Sequence, residues 1–472
     1  MPIVLPPDLM VSVSGFRGRV GDPLTPELVT ALAAAYGAFL RGEGRERSVV
    51  LGRDSRTSGP MLAAAAGAGL ASVGCDVVDI GIVPTPTLMM AVRDGGAAGG
   101  IAVTASHNRA EWNALKFATA EGVFLDAPGM ARFRELLAEE IPRAPWDRVG
   151  EVTRDEGAAE RHLQAVLDLP FVDVGALRAR GFSVALDCVQ GAGGAVMPEL
   201  LERLGCRVHG IGLEMDGRFP RDPEPTAANL GALGELVRDS GADLGMAVDP
   251  DVDRLSLVDE TGDPVGEDFT LALAAAAVAR WRPGLVVTNL STSQVVEDAA
   301  TAAGAKTLRA PVGEINVVRR MLAEGAVVGG EGNGGVVVPA LHHTRDALVG
   351  AALVLQHLLD EKLSLAAAVA AYPAYRIVKH KVAFPREALE AAYARLQQRW
   401  PGADRDRTDG LRLTWPDHRE WLHVRPSGTE PVVRLIAEAR AGPRARALVE
   451  EARGELSLLA RSHRDARAVA SR

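Results

Sequence analysis

The feature of this sequence that most constrains its fold is a short apolar strand followed by a helix and a second strand. Ser48 to Leu51 precedes a helix over Met61 to Ser72 and a strand over Asp76 to Ile80. The same order returns within residues 183–211 and again within residues 285–310. Strands that alternate with helices of this length predict a mostly parallel sheet with helices on both faces.

The pattern changes from Ala371 onward. Four short strands and one helix follow, with predicted strands over Tyr375 to Ala383, Gly410 to Thr414, Glu420 to Val424 and Val432 to Glu438. A chain of 472 residues is long enough for several domains. We therefore expect four domains, at residues 1–150, 151–255, 256–370 and 371–472.

Composition excludes several classes of protein. A hydrophobic fraction of 47% with 24% charged residues is typical of folded globular chains. The net charge of −9 argues against nucleic acid as a general partner. The apolar segments are too short to cross a bilayer, and the amino terminus has no signal-peptide pattern. Three scattered cysteines favour a reducing cytoplasm over a disulfide framework, so we expect a cytoplasmic protein without membrane contact.

A serine loop follows the small, apolar strand Gly99 to Val103. Ser106 stands there with His107, and Lys116 lies nine residues beyond the histidine. Ligands of open α/β sheets bind at strand ends. A hydroxyl beside an imidazole and an ammonium could act as a nucleophile or carry a covalent group stabilised by two cations. The alternative is an ordinary capped loop without a catalytic role, in which the same residues also occur.

A second loop carries three carboxylates. Asp249, Asp251 and Asp253 follow the strand Leu244 to Val248, with Arg254 directly after them. Carboxylates at this spacing repel each other unless a cation neutralises them, and hard oxygen ligands suit Mg²⁺. A solvated acidic turn is the alternative, but the preceding strand and Arg254 favour a metal site.

Three further loops contain groups that suit a phosphorylated, polyhydroxylated ligand. Glycines flank Arg17 near the amino terminus, and five glycines surround Glu331 and Asn333. A loop in the last unit offers a guanidinium, two hydroxyls and a glycine amide, which together suit a phosphate monoester. Its candidate ligand-binding residues are Arg425, Ser427, Gly428 and Thr429, assisted by Arg434.

Taken together and in this order, the loops resemble those of the α-D-phosphohexomutase superfamily over essentially the whole chain. The resemblance implies an α/β fold of four domains around a central cleft: three similar mixed α/β domains and a C-terminal α+β domain with an antiparallel sheet. It matches Ser106 to the family's phosphorylated serine, which also supplies an oxygen to the metal. It matches the remaining residues to a Mg²⁺ loop, a sugar loop, a phosphate loop and the amino-terminal arginine: Asp249, Asp251, Asp253, Glu331, Asn333, Arg425, Ser427, Gly428, Thr429 and Arg17.

The implied activity is interconversion of hexose 6-phosphate and hexose 1-phosphate through a phosphoserine enzyme and a bisphosphorylated sugar. Arg254 and Lys116 would stabilise the transferring group, and Lys116 and His107 are the candidates for acid and base. A phosphoglucosamine mutase is the preferred interpretation, with phosphomannomutase or phosphoglucomutase as the alternative. The expected partner is a small sugar phosphate, and the expected state is a monomer or homodimer.

Two other classes fit parts of the pattern. A phosphatase also uses an aspartate-rich Mg²⁺ loop, but it needs neither a remote phosphate clamp nor a recyclable serine. A non-catalytic sugar-phosphate-binding protein would not need Ser106, Lys116 and all three aspartates together.

The chain departs from the family's usual pattern in two loops. Asn108-Arg109 and Asn113-Ala114 replace the proline and the Asn-Gly pair that commonly follow the serine. Gly335 stands where the family's sugar loop ends in histidine. His342 and His343 are the candidates to approach the site in its place.

Overall fold

The structure is a computed structural model that describes residues 2–44, 47–427 and 432–470, with side chains described as far as Arg461. Its four sheets follow one another along the chain, with seven, four, four and five strands. The first three belong to α/β layers, and the fourth is antiparallel throughout. The predicted fold class is confirmed.

The first domain is built on the seven-stranded sheet, with spatial order β1-β2-β6-β5-β3-β4-β7. Its elements are β1 Met10–Ser12, β2 Gly15–Arg19, α1 Pro26–Gly42, β3 Ser48–Arg53, α2 Gly59–Ser72, β4 Asp76–Ile82, α3 Thr85–Asp94, β5 Gly99–Val103, β6 Trp112–Thr119, α4 Ala127–Leu136 and β7 Val152–Arg154. The Thr25 side chain accepts from the backbone N–H of Leu28, and Pro26 opens the helix, so this helix starts as the sequence predicts.

This sheet is less parallel than the alternation of strands and helices predicts. β3 pairs in parallel with β4 and β5, but β6 runs antiparallel to both β5 and β2. The reason is the short loop between β5 and β6, because a return of this length permits only an antiparallel neighbour. That return also places Lys116 of β6 directly opposite Ala102 of β5.

The second domain has the sheet order β11-β10-β8-β9, in which only β11 is antiparallel to its neighbour. Its elements are α5 Ala158–Leu167, α6 Val174–Arg180, β8 Ser183–Asp187, α7 Gly193–Arg203, β9 Arg207–Ile211, α8 Gly231–Ser240, β10 Leu244–Val248 and β11 Leu255–Val258.

The third domain has the sheet order β13-β12-β14-β15 and again ends in an antiparallel strand. Its elements are α9 Asp268–Trp281, β12 Leu285–Asn289, α10 Val295–Ala302, β13 Lys306–Ala310, α11 Glu314–Glu324, β14 Val328–Glu331, β15 Gly335–Val337, α12 Ala347–Glu361 and α13 Leu365–Ala370. Helices α9 and α12 are buried on nearly all sides, and one apolar core runs through the second and third domains.

The fourth domain is the antiparallel sheet β16-β20-β19-β18-β17 packed against two helices. Its elements are β16 Arg376–Ala383, α14 Leu389–Arg399, β17 Asp404–Asp406, β18 Leu411–Trp415, β19 Glu420–Pro426, β20 Val432–Ala439 and α15 Gly442–Ala470. Across the described part of the chain, the helices include none that is both long enough and apolar enough to span a membrane.

Candidate active site

Strands from all four domains bring polar residues to one cleft between the domains. β5 leads to Ser106, β10 leads to the three aspartates, and β14 ends at Glu331. From the fourth domain, Arg425 on β19 and Arg434 on β20 stand opposite each other in register. Open sheets commonly bind ligands at such strand ends. The structure therefore brings together in one place residues that lie far apart in sequence.

The backbone of the serine loop is held in an unusual conformation. Ser106 is 3% exposed and has a φ of 49°, in the left-handed region that side chains other than glycine rarely adopt. Its backbone N–H donates to Thr104 Oγ1 at 2.9 Å. Conformations of this kind persist only where the surroundings enforce them, and they cluster at functional sites.

Arg56 supplies that enforcement. Its buried guanidinium donates to the carbonyl oxygens of Ser106 and Asn108, both at 2.6 Å, and to those of Arg109 and Trp112 at 2.7 and 2.9 Å. Its Nε donates to Asp54 at 2.9 Å. The sequence analysis assigns no role to Arg56, although this residue lies in a loop that has a glycine at each end.

The Ser106 hydroxyl is directed at the metal loop. Its Oγ donates to Asp249 Oδ2 at 2.8 Å and lies 3.4 Å from His107 Nδ1. Lys116 donates from Nζ to Asp251 Oδ2 at 2.8 Å, and Thr85 Oγ1 donates to the same oxygen at 2.8 Å. The serine and the lysine therefore each contact a different aspartate of the triad.

The three aspartates form a tight, buried cluster. Asp249, Asp251 and Asp253 are at most 1% exposed, and one carboxylate oxygen from each lies within 4.8 Å of the others. Val252 between them has a φ of 61°, which turns the loop sharply. The backbone N–H groups of Asp253 and Arg254 donate to Asp249 Oδ1 at 3.1 and 3.3 Å.

The donor set fits a divalent cation. Asp251 Oδ1 and Asp253 Oδ1 are buried without a hydrogen-bond partner, and such orphaned carboxylate oxygens are costly unless something binds them. Burial and the charges of Asp253 and Asp251 raise the pKa of Asp249 well above its usual range. Burial also opposes ionisation of Asp251, but Lys116 overrides it and lowers the pKa of that carboxyl. A cation among these oxygens would relieve the repulsion.

Two arginines and the histidine line the cleft beside the serine. Arg254 lies 3.6 Å from Asp253 Oδ1 through its Nε and 3.4 Å from Glu224 through Nη1. Arg17 donates to Asn108 Oδ1 at 2.5 Å. The charge of Arg254, followed by burial and the charge of Arg17, lowers the pKa of His107 to about 2. This low pKa favours a neutral imidazole in the arrangement of charges seen here, whereas the sequence analysis expects a cation beside the serine.

In the sugar loop, Glu331 is buried, and both of its carboxylate oxygens accept hydrogen bonds. Its Oε1 accepts from Asn289 at 2.8 Å and from the backbone N–H of Gly313 at 3.0 Å. Its Oε2 accepts from Arg345 Nη1 at 3.0 Å. Asn333 Oδ1 accepts from the backbone N–H of Gly335 at 3.3 Å, which closes the turn between β14 and β15.

The fourth domain contributes positive charge to the cleft. Arg425 donates from Nε to Asp409 at 2.8 Å, and Arg434, together with Lys379 and Lys381 of β16, lines the same cavity. Ser427 is buried, and its backbone N–H donates to Val432 at 2.8 Å. The predicted ligand-binding residues Gly428 and Thr429 lie outside the described residues.

The cleft consists of two adjoining cavities of about 410 and 390 Å³. Both are lined by Arg17, His107, Arg254, Glu331 and Arg425. The larger one also reaches Asn333 and Arg434, and the smaller one reaches Ser106, Lys116 and Arg345. The cleft is therefore lined by residues of all four domains, with the serine at one end and the cations of the fourth domain at the other.

Neither His342 nor His343 lines these cavities, and both lie in the described part of the chain. They are the two residues proposed to replace the missing loop histidine. His342 is buried and lies 2.9 Å through Nε2 from Asp346, and His162 contacts the same carboxylate oxygen at 2.9 Å. Burial lowers the pKa of His343, which lies near Arg93. The expectation that one of these histidines approaches the site is wrong, because the turn after β15 directs them toward the first two domains.

A four-domain α/β chain with a serine against a carboxylate triad in its central cleft has the construction of a phosphoryl-transfer enzyme. Comparison with known proteins agrees. Residues 9–142, 160–262 and 266–375 match alpha/beta/alpha domains I, II and III of the phosphoglucomutase/phosphomannomutase family, and residues 378–455 match its C-terminal domain. The chain therefore belongs to this family, within the α-D-phosphohexomutase superfamily, and is a phosphomutase of the isomerase class.

Individual relatives match over nearly their whole length. A phosphoglucomutase/phosphomannomutase of Thermococcus kodakarensis is 39% identical over 442 residues, covering 92% of this chain and 96% of the relative. A protein of Methanopyrus kandleri named probable phosphoglucosamine mutase is 37% identical over 444 residues, covering 93% and 95%. The crystal structure of a phosphoglucomutase/phosphomannomutase family protein from Burkholderia thailandensis superposes with a TM-score of 0.82 at 25% identity, covering 95% of this chain and 98% of that one.

Proposed function

We propose that this phosphohexomutase interconverts glucosamine 6-phosphate and glucosamine 1-phosphate through a phosphorylated Ser106. The observation that carries the proposal is the hydrogen bond from Ser106 Oγ to Asp249, inside a triad in which two buried oxygens accept no hydrogen bond. A nucleophile or phosphate carrier in direct contact with a metal-binding set is what phosphoryl transfer requires.

Asp249, Asp251 and Asp253 would hold Mg²⁺ together with an oxygen of the phosphate on Ser106. When bound, the ion neutralises charge that builds up on the transferring phosphoryl group. Carboxylate oxygens are the ligands that Mg²⁺ prefers. The two orphaned oxygens, Asp251 Oδ1 and Asp253 Oδ1, support this assignment.

The first half of the reaction transfers the phosphoryl group to the sugar. A sugar hydroxyl attacks the phosphorus, its proton passes to a base, and the bond between phosphorus and Ser106 Oγ breaks while that oxygen gains a proton. His107, 3.4 Å from Oγ, is the candidate to accept a proton once the anionic substrate offsets the charges of Arg254 and Arg17 that lower its pKa, and the ammonium of Lys116 is the candidate to supply one. Arg17 and Arg254 stabilise the transferring group.

The second half needs the bisphosphorylated sugar to reverse its direction in the cleft, so that its other phosphate returns to Ser106. Arg425, Ser427, Gly428, Thr429 and Arg434 would then hold whichever phosphate is not reacting. The hydrogen bond to Asp409 orients the guanidinium of Arg425 for this contact. Glu331 and Asn333 would bind the sugar hydroxyls between the two ends.

The choice among sugars rests on relatives and on the phosphate loop. Several relatives are named probable phosphoglucosamine mutase, and Ser427-Gly428-Thr429 favours the same substrate. The alternative is a phosphomannomutase or phosphoglucomutase, which the name of the Thermococcus kodakarensis relative favours.

The test is a direct comparison of glucosamine, mannose and glucose phosphates with the purified full-length chain. We expect kcat/KM for glucosamine 6-phosphate to exceed the others by about tenfold or more, the difference that one well-placed polar contact provides. Faster turnover of mannose or glucose phosphate would select the alternative. Release of inorganic phosphate without isomerisation would indicate a phosphatase.

The role of Ser106 is tested separately by replacing its hydroxyl. Ser106→Gly removes the hydroxyl but accepts the φ of 49° without strain, so it is a cleaner change than Ser106→Ala. Both variants should lose about 10³-fold or more of kcat, because no carrier remains. Phosphopeptide analysis of the wild type should find the phosphate on Ser106. Ser457→Ala, a half-buried change on α15 outside the residues that line the cleft, serves as the control, and normal turnover in the Ser106 variants would contradict the proposal.

A further inference from the structure

Arg345 lies between the metal loop and the sugar loop and was not singled out by its sequence. Its side chain is largely buried, yet it lines the cavity that also contains Ser106. Nη2 donates to Asp253 Oδ2 at 2.5 Å, and Nη1 donates to Glu331 Oε2 at 3.0 Å. Its Nε lies 3.2 Å from Glu314 Oε2. One guanidinium therefore joins three carboxylates from three different loops.

Gly335 makes the space for this side chain. A Cβ at Gly335 would lie 2.2 Å from Arg345 Cδ and 2.8 Å from its Cγ, far inside van der Waals contact. Gly335 opens β15 and pairs with Glu331 on β14, so its own position is fixed by the sheet. Any side chain at this position would have to displace Arg345.

The contacts of Glu331 show what Arg345 controls. Asn289 and the backbone of Gly313 hold Oε1, whereas Arg345 holds Oε2. A carboxylate bound at both oxygens keeps one orientation, and Glu331 has this fixed orientation where it lines the cavity. Without Arg345, Oε2 would lose a charged donor in a buried setting.

We propose that Arg345, in the space left by Gly335, is a positioning residue that locks the metal loop and the sugar loop together and sets the orientation of Glu331 toward the sugar. This rests on the proposed function, since it assigns Glu331 to sugar binding. The arrangement also has an electrostatic consequence. Arg345 partly neutralises Asp253, so its removal leaves the aspartate triad more negative toward a cation.

The first test compares substrate binding with metal binding in Arg345→Ala. We expect kcat/KM for the preferred hexose phosphate to fall about 10²-fold, mainly through KM, because Glu331 loses its orientation. Mn²⁺ affinity, measured by electron paramagnetic resonance, should stay equal or become tighter, since a competing cation is gone. If the role of Arg345 were merely structural, Arg345→Ala would weaken Mn²⁺ binding and raise KM together. Arg345→Lys should recover only part of the loss, because one ammonium cannot hold two carboxylates as a planar fork does.

The second test reaches Arg345 without changing it. Gly335→Ala removes no charge and no hydrogen-bonding side chain, yet it should raise KM about tenfold or more by displacing Arg345. In the double variant Gly335→Ala/Arg345→Ala the loss should equal that of Arg345→Ala alone, because the methyl group then occupies space that is already free. Gly350→Ala is the matched control, since a Cβ there meets its nearest neighbours at 3.6 Å.

Each outcome decides the matter. Wild-type KM in Arg345→Ala or in Gly335→Ala, or additive losses in the double variant, would overturn the inference. A fall in Mn²⁺ affinity that accompanies the rise in KM would also overturn it. If Arg345→Ala does not fold, Arg345→Lys and Gly335→Ala give the answer by the same KM criterion. A wild-type chain that does not isomerise any hexose phosphate would instead refute the proposed function, and Mn²⁺ binding would still be measurable.

Discussion

At the scale of single residues, Arg56 shows how much of the site depends on a side chain that touches no ligand. A guanidinium has five N–H donors, and here they reach one carboxylate and four backbone carbonyl oxygens. Three of those carbonyls belong to residues 106, 108 and 109, which form the serine loop. The strained backbone of Ser106 is therefore held by one buried cation.

Arg56→Lys should damage both stability and turnover. Lysine has three donors on one atom, so at least two of these five acceptors would be left unpaired, at a cost of about 2–4 kcal/mol in the free energy of unfolding. We expect kcat to fall about tenfold or more, because the Ser106 hydroxyl would no longer be fixed against Asp249. Urea denaturation and steady-state kinetics measure the two effects. Arg53→Lys, a half-buried change at the end of β3, is the control, and equal behaviour of the two variants would contradict this role.

Arg56 and Arg345 also mark the limit of what the sequence could predict. Ser106, Asp249 and Glu331 are recognisable because each follows a predictable apolar strand and sits in a short, unusual run of residues. Arg56 holds the Ser106 carbonyl 50 residues away, and Arg345 joins Glu331, 14 residues before it, to Asp253, 92 residues before it. Nothing in the residues next to either arginine indicates these contacts. The room for Arg345 is visible only once β14 and β15 pair.

At the scale of elements, four of the five strands of the C-terminal domain were predicted, because each is a short run that contains Val, Leu or Ile and is bounded by turn residues, whereas the short, polar β17 was missed. β6 was missed, and with it the antiparallel half of the first sheet, because its pairing with β2 depends on residues almost a hundred positions earlier.

β19 also contributes a histidine to the contact between the third and fourth domains. Its His423 is fully buried, with Nδ1 2.8 Å from Ser291 Oγ in the third domain and Nε2 donating to the carbonyl of Asp409 at 2.7 Å.

His423 should make this contact between domains sensitive to pH. Burial, only partly offset by the Asp409 carbonyl, lowers the pKa of His423 to about 4. The unfolded chain, with a histidine pKa of about 6.5, binds more protons below that pH, so stability falls as pH drops toward the folded pKa. Between pH 8 and pH 5 this one group should cost about 2 kcal/mol of unfolding free energy. Denaturant unfolding at the two pH values measures it.

The variant His423→Gln separates the contribution of His423 to the pH dependence of stability from the contributions of other buried histidines. In His423→Gln the loss of stability between pH 8 and pH 5 should shrink by about 2 kcal/mol, because the titrating group is gone. His418→Gln, an exposed change in the same domain, should leave the pH dependence as it is in the wild type. An undiminished pH dependence in His423→Gln would show that this histidine does not control the contact.

At the scale of the whole molecule, the fourth domain is held to the third by buried polar groups more than by an apolar core. Glu438 on β20 is fully buried and accepts hydrogen bonds from the Ser293 hydroxyl, from the backbone N–H of Gln294 at 3.0 Å and from Trp421 Nε1 at 2.6 Å. The apolar core of the fourth domain is separate from the one shared by the second and third domains. Such a junction can open without unfolding either domain.

Glu438→Gln should loosen this junction while leaving both domains folded. The amide keeps the shape of the side chain, but it replaces one acceptor oxygen with an NH₂ donor that faces other donors, so the charge-assisted bonds are lost. Arg425 and Arg434 then spend part of the time away from the cleft, and KM for the hexose phosphate should rise about tenfold while kcat at saturation changes little, because bound substrate restores closure. Small-angle scattering should show a larger radius of gyration that contracts on addition of hexose phosphate. Glu390→Gln, on the exposed outer surface of the same domain, is the control. An unchanged radius together with an unchanged KM would mean that Glu438 does not hold the fourth domain over the cleft.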